Sequence, residues 1–331
     1  FFKTRLKVLL DREEQTLEDH EPFDLGGLNH HAALQSVLDG ARLSVEHLPL
    51  DAALAALPTA LAKTTQRLQG EGRLPLAGFG QRWQAALQAD ALNQLQRWLQ
   101  VQAQWPQAVL GGLSVALPAS ALQLSPASSA SELLRLPSLY RGDAGLALFS
   151  LSASRFCNSA KTKLIGKDGL NMSALRLDKL LGSWVLAVLA ALQPEPVQVI
   201  VVARDVTLTW WPLDRDEAIR TVTAWLQAWA LHVRQPLPVT ARTALAFLPV
   251  NADKGEEMAC AKAADVYEGG YKVVGEKAQQ PSLARQFPDF EALWQDGEFA
   301  HWVSVLYEPM WMALEAGALS AVAADDEGDD A

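Results

Sequence analysis

Val-Leu-Gly-Gly-Leu-Ser-Val-Ala-Leu, residues 109–117, is the stretch on which the reading of this chain turns. It is short, apolar and rich in β-favouring residues, and Pro106 and Pro118 bound it, so it reads as a buried strand. Gly-Leu-Ala-Leu-Phe-Ser-Leu at 145–151 is its natural partner strand. Neither run contains an acid, and that absence bears directly on what chemistry the pair can support.

Upstream, the pattern is helical. Residues 29–38, 50–68 and 81–104 read as helices, the last with Trp83, Leu87, Leu95, Trp98 and Leu99 at helical spacing. Between the second and third lie Gly70, Gly72, Pro75, Gly78 and Gly80. Gly78-Phe79-Gly80 faintly suggests a phosphate loop, yet no third glycine follows at the required spacing and no strand leads in, so it reads as a turn. His30 and His31 are adjacent, point to different sides of a helix, and read as surface polar residues rather than a chelating pair.

Downstream, 173–192 is a strongly apolar helix stopped by Gln-Pro-Glu-Pro. Residues 197–203 form the clearest strand, with 206–211 as its hairpin partner across Arg204-Asp205. Helix 214–233 opens on Asp214, Asp216 and Glu217, which its dipole favours, and aims Val222, Trp225 and Trp229 inward. A further strand is expected at 241–248, and helices at 254–267 and 297–314, the second kinked or shortened by Pro309. The order gives an α/β domain, a mixed central sheet flanked by helices.

Half of the 331 residues are apolar, enough for one large core or two modest ones. The chain begins at Phe1 rather than Met, which suits an excised part of a longer polypeptide, and residues 323–331 pack five acids into a solvated end. Cys157 and Cys260 are far apart and signal neither a disulfide framework nor zinc, so a reducing, cytosolic setting fits. The apolar run 180–192 is too short to cross a bilayer, and no signal peptide is recognisable. Net charge is −10, which counts against a free-standing duplex-DNA binder. Within this acidic chain, Arg155, Lys161, Lys163, Lys167, Arg176 and Lys179 face only Asp168 and Asp178, and they are the best candidate surface for an anionic partner.

Catalytic motifs are looked for and mostly not found. There is no Gly-x-x-x-x-Gly-Lys-Ser/Thr, no His-Glu-x-x-His, no Cys-x-x-Cys and no Gly-x-Ser-x-Gly, so the sequence implies no cofactor. Two-metal nucleases need clustered carboxylates, often with a lysine, as Asp and then Asp/Glu-x-Lys on the next strand. No Asp or Glu here is followed two positions later by Lys, and Pro288-Asp289 lies beyond the last lysine, Lys277. Of the eleven tryptophans, Trp210-Trp211 invites base stacking, but strand alternation turns one ring inward.

Phe-Phe-Lys-Thr-Arg-Leu-Lys-Val at 1–8, Glu-Pro-Phe-Asp-Leu-Gly-Gly-Leu at 21–28, Gly72-Arg73-Leu74-Pro75 through Gly80, and Ala263-Ala264-Asp265-Val266-Tyr267-Glu268-Gly269 together resemble the C-terminal portion of RecC, the gamma subunit of exodeoxyribonuclease V. The resemblance implies a PD-(D/E)xK restriction-endonuclease-like nuclease fold without an active site. It divides the chain into a connecting segment (1–35) from a missing helicase-like region, a nuclease-like domain (36–315) and an acidic, disordered tail (316–331). It implies RecB-like and RecD-like partners in a heterotrimer, contact with double- and single-stranded DNA near the point where the duplex is split, a cytoplasmic setting and no membrane. By comparison with the nuclease form, Ser114 falls where the first strand's acid would be, and Phe149, Ser150 and Leu151 occupy the Asp-x-Lys strand. The alternatives are an active metal-dependent nuclease with a migrated lysine, and a pure protein-docking module.

Overall fold

The structure, a computed structural model, describes residues 7, 24–109, 111–116, 133–136, 138–158, 163–166, 169–270 and 273–324. Three long helices come first: α1 (Gly27–Val45), α2 (Leu50–Gly70) and α3 (Ala77–Gln102). Each carries a buried stripe at helical spacing, such as Leu34, Val37, Leu38 and Ala41 on α1 and Leu87, Ala91, Leu95 and Trp98 on α3.

The strands follow as β1 (Gln107–Ala108), β2 (Leu113–Ala116), β3 (Leu133–Leu136), β4 (Leu139–Gly142), β5 (Gly145–Ser152), β6 (Ile165–Gly166) and β7 (Gly169–Leu170). Then come α4 (Leu177–Ala191), β8 (Val197–Ala203), β9 (Val206–Trp210), α5 (Arg215–His232), α6 (Ala241–Lys254), α7 (Glu256–Glu268), β10 (Gly269–Gly270) and β11 (Val273–Val274). Short helices α8 (Pro281–Gln286) and α9 (Phe290–Trp294) precede α10 (Glu298–Leu306), α11 (Glu308–Glu315) and β12 (Leu319–Ala323).

Six strands make one mixed sheet in the order β1-β4-β5-β8-β9-β12. Among the described residues only β5 and β8 pair in parallel, and the α4 crossover joins them. Side-chain alternation sends Ala147, Phe149, Ile200 and Val202 toward α1–α3, and Leu146, Leu148, Val199 and Val201 toward α4 and the later helices. Apolar layers on both faces explain why β8 is a nearly unbroken apolar run.

The expected pairing of 109–117 with 145–151 is corrected. β2 pairs with β3 in a separate two-stranded sheet, Ser114 opposite Arg135. β5 pairs with β4 instead, Gly142 opposite Gly145, around the two-residue turn Asp143-Ala144, directly after which Gly145 takes a φ of 102°. The close approach of the turn after α3 makes Gly142 necessary, since a Cβ there would lie 2.1 Å from the Gln104 carbonyl oxygen.

The expected strand at 241–248 is the helix α6, because an apolar run as short as Ala244–Leu248 satisfies both periods and its buried residues, Ala244, Leu245, Phe247 and Leu248, fit a helix face. Helix 297–314 divides into α10 and α11 at Tyr307, just before Pro309, as proline's ring and missing N–H require. Trp229 is 61% exposed rather than inward, since α5 is rotated to bury Ala218, Thr221, Val222 and Ala228. β12 lies inside the stretch read as an acidic tail, with Leu319 and Ala321 buried against the sheet's end. The β8–β9 hairpin, the acidic start of α5 and the inward Trp210 with an outward Trp211 stand as expected, and the structure adds that Asp214 accepts from the Glu217 N–H as the cap of α5.

Candidate functional site

β5 and β8 end side by side, and α/β folds gather ligands at the carboxyl ends of such a parallel pair. The middle of β5 is closed to polar chemistry. Phe149 is buried and meets Trp98 at 6.3 Å, Trp105 at 5.7 Å and Tyr140 at 5.4 Å between ring centroids, all edge to face. The Tyr140 hydroxyl donates to Glu46, just past the end of α1 and itself paired with Arg42, whose guanidinium lies over the Trp98 ring. Burial, then the Glu46 charge, raises the Tyr140 pKa and keeps that hydroxyl protonated. Ser150 and Leu151 are half-buried on the same strand, whereas Ser114 belongs to the other sheet and is not on a strand next to Phe149.

At the strand ends, side chains from the helices satisfy the backbone. Gln35 on α1 donates to the Leu151 carbonyl at 3.1 Å and accepts from the Ala153 N–H at 2.9 Å. Gln94 on α3 donates to both the Ser152 and Val202 carbonyls, at 2.8 and 2.9 Å, and so ties the two parallel strands together. Arg97 donates to the Ala203 and Arg204 carbonyls, and Arg204 pairs with Asp90 at 2.6 Å. Two glutamines and two arginines thus stand at the sheet end beside two acids, Asp39 and Asp90, and Asp39 accepts from Gln35.

The basic segment is built out from this end. Asp205, in the β8–β9 turn, accepts from the Phe156 and Cys157 N–H groups at 2.9 Å each. Asn158 donates to the Ser173 and Leu175 carbonyls, and Cys157 bridges Leu175, so the start and finish of the loop are pinned together. Burial, with the Asp205 charge, pushes the Cys157 thiol up to about 11, which removes it as a nucleophile. Arg155 and Lys163 are exposed, while Arg176, 4.0 Å from Asp178, and Lys179 are half-buried. Lys161 and Lys167 lie outside the described residues.

The Tyr-Glu-Gly phrase has structural duties. The Tyr267 hydroxyl donates to the Phe287 carbonyl in full burial. Glu268 takes the Lys277 ammonium and the Phe290 N–H. Gly269, at a φ of 79°, lets the chain turn where a Cβ would meet Gly275 at 2.4 Å. Buried Glu276, which the sequence does not flag, accepts from Thr240, the Arg242 N–H, and both the N–H and hydroxyl of Thr243, at 2.8–3.1 Å, and so caps α6.

Among the described residues, no three His, Cys, Asp or Glu side chains are grouped to hold a metal ion, and no helix is long and apolar enough to cross a membrane. No curated protein matches the chain. The family model described as the RecC C-terminal domain matches residues 1–250.

Proposed function

The chain belongs to the RecC C-terminal domain family, and we propose from that membership that it serves a RecBCD-type complex in DNA repair as a domain without catalysis of its own. It docks a RecD-like subunit beside a RecB-like one, and it touches DNA near the point where the strands part. Its sheet is a nuclease sheet kept for shape.

The observation that carries this reading is the Phe149 box. A nuclease of the PD-(D/E)xK kind needs a carboxylate and a lysine projecting from this strand toward magnesium. β5 offers a phenyl ring enclosed by three others. Phenylalanine supplies no oxygen to a hard cation, and a charge placed there would lose its hydration without a partner. The DNA-contacting part is carried by Arg155, Lys163, Arg176 and Lys179, with Lys161 and Lys167 completing the segment in sequence.

The test is reconstitution with RecB-like and RecD-like subunits, with and without this chain. Loss of the RecD-like subunit when the chain is omitted supports docking, and assembly that survives with unwinding lost supports strand parting. Magnesium-dependent cleavage by the chain alone, abolished by one carboxylate substitution, overturns the reading in favour of a nuclease with a relocated lysine. DNA affinity that ignores both salt and neutralisation of Lys161, Lys163 and Lys167 leaves docking without DNA contact.

A further inference from the structure

The last strand of the sheet ends at the root of the basic segment. β12 pairs with β9 along its length, and just beyond it the Ala324 N–H donates to the Asp205 carbonyl at 3.0 Å. The Asp205 carboxylate serves the other element, taking the Phe156 and Cys157 N–H groups at 2.9 Å each. One residue of the β8–β9 turn therefore holds both the exit of β12 and the entry of the basic segment.

The return of that segment lies at the same place. The Arg176 N–H donates to the Phe156 carbonyl at 2.8 Å, and the Asn158 N–H to the Ala174 carbonyl at 2.7 Å. Further out the Asn171 N–H reaches the Leu164 carbonyl at 2.8 Å, and β6 pairs with β7. These bonds fold the segment back on itself as an antiparallel arm, and Cα atoms of β7 and β12 come within 8 Å of each other. Arg155 and Arg176 flank the root of the arm, and Lys163 stands on its outgoing side. Arg155 and Lys163 are exposed, and no acid among the described residues pairs with either.

After Ala324 the chain reads Asp325-Asp326-Glu327-Gly328-Asp329-Asp330, which lies outside the described residues and holds half of the net charge of −10. Six extended residues span about 20 Å, and this run starts beside the same Asp205 that holds the arm.

We propose that residues 325–330 occupy the basic arm until DNA displaces them, a tethered polyanion competing with phosphates for Arg155, Lys163 and Arg176. The inference rests on the reading of this arm as the DNA-contacting surface and adds its regulation. Charge complementarity and the exit point of β12 select the occupant. Exposed ion pairs are too weak to hold a free acidic peptide, but a tether this short raises the effective concentration to the millimolar range. DNA, with one charge per about 1.7 Å of duplex, outcompetes the tail once it is delivered to the arm.

The experiment uses the assembled complex and a labelled forked oligonucleotide at low salt, read by fluorescence anisotropy. Replacing all five acids (Asp325→Asn, Asp326→Asn, Glu327→Gln, Asp329→Asn and Asp330→Asn) should tighten binding roughly tenfold, as expected when the tail fills the arm about nine-tenths of the time. The gain should shrink as salt rises and largely vanish when Arg155→Gln and Lys163→Gln are added. In the DNA-free complex, carbodiimide should couple a tail carboxylate to Lys161 or Lys163, and DNA should suppress that adduct. An unchanged affinity, a gain that survives loss of the arm's cations, or no adduct between tail and arm overturns the inference. If neutralising the arm weakens DNA binding while neutralising the tail does nothing, the tail inference fails and the reading of the arm stands. If the arm's cations make no difference to DNA affinity even in the tail-neutralised complex, both fall.

Discussion

Replacing Phe149 with Ala removes a buried ring and the edge contacts of three others. Phe-to-Ala changes in cores cost about 3–5 kcal/mol, and each aromatic pair carries ~0.5–1.5 kcal/mol of specific geometry within such a change. Trp98 and Tyr140 are fixed by neighbours on α1 and β4, so the site collapses poorly and the upper part of that range is expected. A domain is stable by about 5–15 kcal/mol, so the substitution removes a third or more of the total. Urea titration followed by tryptophan fluorescence should show a lower midpoint with an unchanged slope. Phe149→Asp should be worse, because the carboxylate loses its water and gains no cation. A Phe149→Ala cost below about 1 kcal/mol would refute a sealed aromatic box. A folded Phe149→Asp protein that magnesium stabilises would mean that this strand still holds the makings of a metal site.

Two glycines give a contrast. Gly142→Ala should destabilise by about 1–3 kcal/mol through its clash with Gln104, and Gly182→Ala, with open space around its Cβ inside α4, should stabilise by ~0.5–1 kcal/mol, as paired melting curves will show. Glu276→Ala should cost about 2–3 kcal/mol by orphaning the Thr240 and Thr243 donors at the start of α6, with faster hydrogen exchange at the Arg242 and Thr243 amides. His30 has its pKa lowered below the ordinary 6.5, by burial first and the Arg204 charge second. The unfolded chain therefore binds the proton more readily, so stability present above pH 6.5 is lost as pH falls below it, and His30→Gln should flatten that part of the profile.

What the sequence disclosed depended on whether one period could explain a segment. The β8–β9 hairpin was legible because β9 alternates buried and half-buried positions down to Trp210. The α5 start was legible because Asp214, Asp216 and Glu217 gather where the helix dipole favours acids. The β4–β5 hairpin was missed although Gly-Asp-Ala-Gly spells its turn, because β4 is four residues long and too short to show alternation. Segment 241–248 misled because its apolar run is no longer than a strand, and the deciding cap, Glu276, is over thirty residues away. Gln35 and Gln94 gave no warning at all. A glutamine in a helix is ordinary surface composition, and only the tertiary fold turns these two toward open strand ends. The basic loop was legible as composition, and the Asp205 bonds that pin its start were not.

The pairing of β9 with β12 joins Thr209 to Ser320, 111 residues later in the chain. On a ribosome adding roughly 5–20 residues per second, the β9 edge waits about 6–22 s for its neighbour. Throughout that interval a strand with Val206, Leu208 and Trp210 on one face offers its free amides to any passing chain. The window sets a race between completion and mispairing during synthesis.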